Sequence, residues 1–159
     1  MGRTTTNKKG TKRGSGLDPV SAPISAIMSK KVQSVRPDTS LDTAVELLMS
    51  KDISHLPVTE DGLLVGILSK TDVVRERYLN GTSSESEEKL EPGYQLEDSG
   101  RTVSELMAKR VRSLSSDSSV AEAAATMARY RVHGLPVVDE KKGLVGFVST
   151  FDIARWVAS

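Results

Sequence analysis

Met28 to Val58, MSKKVQSVRPDTSLDTAVELLMSKDISHLPV, can be laid over Met107 to Val137, MAKRVRSLSSDSSVAEAAATMARYRVHGLPV, without a gap. Beyond the shared Leu-Pro-Val the match resumes one residue further on. Leu64-Val65-Gly66-Ile67-Leu68-Ser69-Lys70-Thr71-Asp72 then faces Leu144-Val145-Gly146-Phe147-Val148-Ser149-Thr150-Phe151-Asp152. Self-similarity over such a length is the mark of a duplicated supersecondary unit. It organises most of the 159 residues.

Each copy carries the same internal plan. A short β-branched run (Val32 to Val35; Val111 to Leu114) leads into a segment whose apolar residues recur at i, i+3, i+4, i+7 and i+8. These are Leu41, Ala44, Val45, Leu48 and Met49 in the first copy, and Val120, Ala123, Ala124, Met127 and Ala128 in the second. That is the period of one buried helical face. Ser40 stands at the N-cap of the first helix, and Ser119 followed by Glu122 has the form of a capping box at the second. Two strands follow, His55 to Thr59 and Leu63 to Ser69, around a turn at Glu60-Asp61-Gly62. Their counterparts are Leu135 to Asp139 and Leu144 to Ser149, around Glu140-Lys141-Lys142-Gly143. A last helix closes each copy, Thr71 to Leu79 and Thr150 to Val157. The pattern predicts a mixed α/β fold of two β-α-β-β-α units. At about 50 residues each is small for a core of its own, so the two are expected to pack pseudo-symmetrically through their sheets.

The junction between the last strand and the last helix carries the chemistry. Ser69 and Ser149 fall at the strand exit, with Asp72 and Asp152 in the first turn of the helix. There, unpaired backbone N–H groups and the positive helix end attract an anion such as phosphate. A carboxylate at that point suits two vicinal ribose hydroxyls. In a single copy the same residues read first as a helix cap and a dipole-complementing acid. Their repetition on matching scaffolds favours a ligand site.

With these motifs in this order, the sequence resembles the CBS (cystathionine-β-synthase-type) domain pair. His55-Leu56-Pro57-Val58 and Gly134-Leu135-Pro136-Val137 look like its h-P-V-V strand, where h is apolar. The two Gly-h-h-Ser-x-x-Asp runs look like its nucleotide signature. Val32-x-Ser34-Val35-x-x-Asp38 and Val111-x-Ser113-Leu114-x-x-Asp117 look like its first strand. The resemblance covers roughly residues 24–79 and 103–158 and rests on duplicated order rather than on any single motif. It implies a Bateman module with two clefts, each drawing phosphate-side residues from one unit and adenine-side residues from the other. One cleft would hold Ser69, Thr71 and Asp72 with Ser113, Val132, His133 and Gly134. The other would hold Ser149 and Asp152 with Ser34, Ile53, Ser54 and His55. Thr71 offers a hydroxyl where the second copy has Phe151, so the Asp72 cleft is expected to be the better nucleotide site.

The implied function is a stand-alone regulatory module that senses AMP, ADP, ATP or another adenosyl ligand such as NAD or S-adenosylmethionine. No prosthetic group is implied, and Mg enters only as a companion of ATP. A homodimer and an unknown protein effector are the expected partners. Ile153, Trp156 and Val157 near the end, and Ile24, Ile27 and Met28 near the start, suit either a dimer contact or the chain's own core.

Composition narrows the classes further. The absence of cysteine excludes disulfides, thiolate metal sites, Fe–S clusters and a Cys nucleophile. His55 aligns with Gly134 and His133 with Ser54, so the histidines form no ligand-spaced set and no metal is expected. No Walker loop, G-x-S-x-G or H-E-x-x-H is present. The repeat sends Asp72 and Asp152 to different clefts rather than to one catalytic pair, so no enzyme is expected. Net charge of +1 gives no whole-chain argument for nucleic acid or membrane. No apolar run nears the roughly 20 residues that cross a bilayer, and the polar start lacks the apolar region of a secretory signal. A cytoplasmic location is the expectation. Residues 1–20 read as a disordered basic tail, 21–79 as the first domain, 80–100 as an acidic linker and 101–159 as the second domain. Arg3, Lys8, Lys9, Lys12 and Arg13 in the tail leave an alternative class: a dimerisation or interaction module, or a nucleic-acid-binding protein gripping phosphates through the tail. No aromatic residues are interleaved there for base stacking.

Overall fold

The structure, a computed structural model, describes residues 18, 20–80 and 100–159, the side chains of 77–80 excepted. The expected basic tail and acidic linker lie outside the described residues except at their edges. The first unit contains α1 (Leu41–Ser50), β1 (His55–Glu60), β2 (Leu63–Ser69) and α2 (Lys70–Asn80). A short α3 (Val103–Leu106) opens the second unit, followed by β3 (Leu114–Ser115), α4 (Val120–Tyr130), β4 (Gly134–Val138), β5 (Leu144–Ser149) and α5 (Thr150–Ala158).

Local chemistry sets the ends of these elements. The hydroxyls of Ser40 and Ser119 accept the N–H of Thr43 (3.2 Å) and of Glu122 (3.1 Å), starting α1 and α4. The buried faces are Leu41, Ala44, Val45 and Leu48 on α1, and Val120, Ala123 and Met127 on α4. Met49 and Ala128, at the margin of each expected face, are exposed. In the first hairpin Asp61 (φ 51°) and Gly62 (φ 80°) are both left-handed, which matches the twist of the paired strands. The second hairpin is one residue longer. There the Asp139 carboxylate accepts the N–H of Lys141 (2.9 Å) and of Gly143 (2.8 Å). Both hairpins bulge at the same step, after Val58 and after Val137. The expected opening strands are shorter than the β-branched runs suggest. Val35 alone bridges Val58 in parallel, and β3 pairs with β4 only at Leu114–Val137 and Ser115–Val138. The charged residues ahead of them, including Lys30, Lys31, Lys109 and Arg110, stay in solvent.

The leading segment of each copy packs on the other copy. Ile24 N–H donates to Ser118 O (2.7 Å), and Val120 N–H to Ala22 O (2.9 Å). The related bonds run from Val103 to Thr39 O and from Leu41 to Arg101 O, both 2.9 Å. Ser29 bridges Phe147 at the edge of β5, Ala108 bridges Ile67 at the edge of β2, and Leu63 meets Gly143 on the axis. These contacts map onto one another under the sequence offsets of the repeat, so the module has a pseudo-twofold axis. The cores follow the exchange. Val103 is buried with Leu48, Leu56 and Val58, and Ala22 and Ile24 are buried with Val120, Leu135 and Val137. Burial of Ile24 alone contributes about 1.5–3 kcal/mol.

Ile24, Ile27, Met28, Ile153 and Trp156 therefore belong to the chain's own core, whereas Val157 is exposed. Two glycines make the exchange possible. A Cβ on Gly66 would collide with Met107 Sδ, and one on Gly146 with Met28 Sδ. The axis is imperfect where Arg101 bonds Glu76 at 2.7 Å, because the related positions are Ala22 and Trp156.

Candidate functional site

At each strand-to-helix junction the serine and aspartate bond reciprocally. Asp152 Oδ2 accepts the Ser149 N–H (2.8 Å) and hydroxyl (2.6 Å), while Ser149 Oγ accepts the Asp152 N–H (3.2 Å). Asp72 and Ser69 repeat this at 2.9, 2.6 and 3.1 Å. One carboxylate oxygen therefore caps the helix. The other, Oδ1, has no hydrogen-bond partner among the described residues and remains available to a ligand.

A cavity of about 470 Å³ opens at the Asp152 junction, within the range of small-molecule sites. One wall is the start of α5, with Ser149, Thr150, Phe151 and Asp152. The opposite wall comes from the first unit, with Ile53, Ser54 and His55 at the entry to β1. Ser29, Lys31, Val32 and Gln33 complete it, because the Ser29–Phe147 bridge lays the leading segment along β5. The N-terminus of α5 and the Lys31 ammonium make this a favourable place for negative charge.

Of the residues expected in this cleft, the structure brings Ser149, Asp152, Ile53, Ser54 and His55 together. Ser34 lies outside the lining, with its hydroxyl facing Thr59 Oγ1 at 3.5 Å. Of the other expected set, Ser69 and Asp72 form the α2 cap and Thr71 is exposed beside them. Ser113 is exposed. Val132 and His133 line a cavity of about 390 Å³ with Met127, Arg131 and Ile153, and His133 also reaches the Asp152 cavity. Gly134 is buried, and a Cβ there would meet the Phe147 ring, at 2.6 Å from Cε1. Its counterpart His55 instead sets its ring 5.7 Å from Phe147, tilted by 34°. Burial holds the His55 imidazole below its ordinary value of 6.5; the Asp72 carboxylate opposes this and His133 reinforces it. His55 is thus neutral at pH 7, able both to donate and to accept.

Lys31, Gln33, Phe147 and Thr150 are lining residues that the sequence did not mark. The basic pair Lys30-Lys31, matched by Lys109-Arg110, was the available signal. A charged pair in a loop ordinarily reads as solvated surface.

Two intertwined β-α-β-β-α units around a cleft at the start of a capped helix define a duplicated ligand-binding module. The CBS domain model matches residues 24–78 and 103–159, and the chain belongs to the CBS domain family. It is 33% identical over 134 residues to a CBS domain-containing protein of Dictyostelium discoideum, covering 82% of this chain and 87% of that one. It is 30% identical over 135 residues to a homoserine O-acetyltransferase of Methanococcoides burtonii, covering 84% of this chain but 24% of that enzyme. The chain thus spans about a quarter of some curated relatives. Among solved structures it resembles the CBS domain pair of protein MJ0100 in complex with 5′-methylthioadenosine and S-adenosyl-L-methionine. That match has a TM-score of 0.70 at 27% identity and covers 86% of this chain and 96% of that one. The CBS pair is a regulatory ligand-binding module, not a catalytic one. Among the described residues no helix is long and apolar enough to cross a membrane.

Proposed function

We propose that this chain is a regulatory sensor that binds an adenosyl compound (AMP, ADP, ATP or a 5′-thioadenosyl ligand) between its two units, with Mg accompanying ATP. The observation that carries this reading is the cavity joining the free Asp152 oxygen and the α5 N-terminus to Ile53, Ser54 and His55 of the other unit. Asp152 Oδ1 accepts from the ribose hydroxyls, the start of α5 faces the 5′ substituent, and the Ile53–His55 wall borders the adenine. The adenosyl complexes of the MJ0100 pair support the ligand class. Ligand occupancy reaches a protein effector or a second copy of the chain. Exposed Val74 on α2, with Phe151 and Val157 on α5, supports the homodimer. The same reading assigns the protein to the cytoplasm.

Calorimetric titration with AMP, ADP, ATP, NAD and S-adenosylmethionine tests it. Micromolar binding of at least one compound is expected; silence from all five overturns the proposal.

A further inference from the structure

The second cavity, of about 390 Å³, lies between α4 and α5 and adjoins the one at Asp152, for His133 and Thr150 line both. The Thr150 N–H donates to the His133 carbonyl at 3.0 Å, which pins the sill between the two spaces. Thr150 precedes Asp152 by two residues, about 3 Å along the helix axis. Beyond the sill the walls are apolar, with Met127, Val132 and Ile153 joined by the small side chains of Ala124 and Ala128. Exposed Arg131 adds a guanidinium that has no hydrogen bond or ion pair among the described residues. The related positions of the first unit hold larger and paired residues. Arg131 and Thr150 map to Asp52 and Lys70, an ion pair of 3.1 Å that ties the end of α1 to the start of α2. Ala124 and Ala128 map to Val45 and Met49, and half-buried Ile153 maps to Val73, which is 5% exposed. Asp52 (φ 48°) and Arg131 (φ 53°) share a left-handed backbone, so the difference lies in the side chains. Two alanines and an unlatched rim thus keep open in the second unit a groove whose counterpart carries bulk and a salt bridge.

We infer that the groove between α4 and α5 is a second subsite, which takes the 5′ arm of an adenosyl compound seated at Asp152 when that arm has an apolar stem and an amino-acid end. This rests on the proposed adenosyl binding and adds to it the part of the ligand beyond the ribose. The start of α5 faces the 5′ position, so a short arm crosses Thr150 and lies along Met127, Val132 and Ile153. Burying its methylenes there is favourable, and Met127 is a polarisable neighbour for a thioether or its carbons. The arm's carboxylate meets the free Arg131 guanidinium, whose planar fork suits it. Its ammonium meets the carbonyl end of α4, where the helix dipole favours a cation.

The test titrates the full chain with S-adenosylhomocysteine and with 5′-methylthioadenosine, which share base, ribose and sulfur and differ only beyond the sulfur. The longer arm should tighten binding about tenfold or more, from about fourfold for each methylene buried and up to about fivefold for an exposed ion pair. Arg131→Asn should weaken S-adenosylhomocysteine about two- to fivefold and leave 5′-methylthioadenosine unchanged. Ala128→Met, which installs the residue of the first unit, should remove most of the arm's advantage, again without effect on 5′-methylthioadenosine. Both positions are exposed, asparagine tolerates left-handed backbone and methionine is a good helix former, so both variants are expected to fold. If the two compounds bind equally, or if the variants weaken both alike or neither, the subsite is wrong and the adenosyl sensor stands. If Ala128→Met leaves both affinities unchanged but alters sedimentation of the chain, a second copy fills the groove and the subsite is likewise wrong. If neither compound binds, the subsite falls, and if AMP, ADP, ATP, NAD and S-adenosylmethionine are silent as well, the adenosyl reading falls with it.

Discussion

Asp152→Ala separates the two tasks assigned to one carboxylate. Oδ2 holds the Ser149 N–H at 2.8 Å and its hydroxyl at 2.6 Å. Losing this half of the cap costs about 1 kcal/mol, within a range of roughly 0.5–2. For a chain of this size a loss of about 1 kcal/mol lowers the melting temperature by roughly 2–4 °C. Oδ1 makes no cap bond, and its contribution appears only with ligand. A hydrogen bond to a charged acceptor is worth about 1.5–3 kcal/mol, so losing the ribose contact weakens binding roughly 10- to 100-fold. Ser149→Ala is the comparison. It removes both hydroxyl bonds of the cap but leaves Oδ1 in place, so it should lose similar stability and less than about threefold in affinity. Urea denaturation measures the first quantity, and calorimetry with the adenosyl ligand bound in this cleft measures the second. Equal loss of stability in the two variants, with unchanged affinity in both, would reduce Asp152 to a helix cap and refute its role in the site.

Gly146→Ala forces the leading segment away from β5 by driving a Cβ into Met28, whose Cγ lies 3.0 Å and Cε 3.2 Å from that position. Overpacking of this kind costs about 1–3 kcal/mol. The loss should be non-additive with Met28→Ala in a denaturation cycle, and strict additivity would contradict the packing described. His55 makes stability depend on pH. Its folded-state pKa lies below the ordinary 6.5 because of burial, so between those values the unfolded chain binds more protons and stability falls as pH drops. His55→Gln should flatten the urea-measured change between pH 7.5 and 5.5, and an unaltered slope would show that other groups cause it.

Most of the local structure was legible because it depends on local rules. The 3.6-residue period fixed the core faces of α1 and α4, Ser40 and Ser119 marked their starts, and Asp61-Gly62 marked a turn that needs left-handed backbone. The exchange of leading segments was not legible. Ile24, Ile27 and Met28 are apolar whether they meet their own unit, the other unit or a second chain, and nothing local records the partner. Thr102-x-x-Glu105 did carry a capping-box pattern for α3, yet a single turn of helix is too short to stand out by period. The cleft followed the same division. Ser149 and Asp152 were legible from their motif, whereas Lys31 enters only because the exchange lays its segment along β5. Ser34 sits in an alternating run that resembles a strand, but only Val35 of that run pairs.

The exchange also fixes what a ligand in the clefts does to the fold. A cleft with walls from both units joins α5 of one to the β1 entry of the other, while the Ser29–Phe147 bridge already ties the same two units at the cavity rim. A change in their relative angle must therefore alter the cleft, and a ligand that binds one arrangement better biases that angle. Only differential affinity for the two arrangements produces such a bias. Moving an equilibrium from 1:99 to 99:1 takes about 10⁴-fold in differential affinity, or about 5.5 kcal/mol. One ligand gripping a single carboxylate oxygen and one helix end is poorly placed to supply all of it, since its bonds to that unit persist in either arrangement. Two clefts on opposite sides of the axis, each contributing about 10²-fold, reach the same total. A module that needs both contributions then switches fully only when both clefts are filled, and it reports joint occupancy rather than the filling of either.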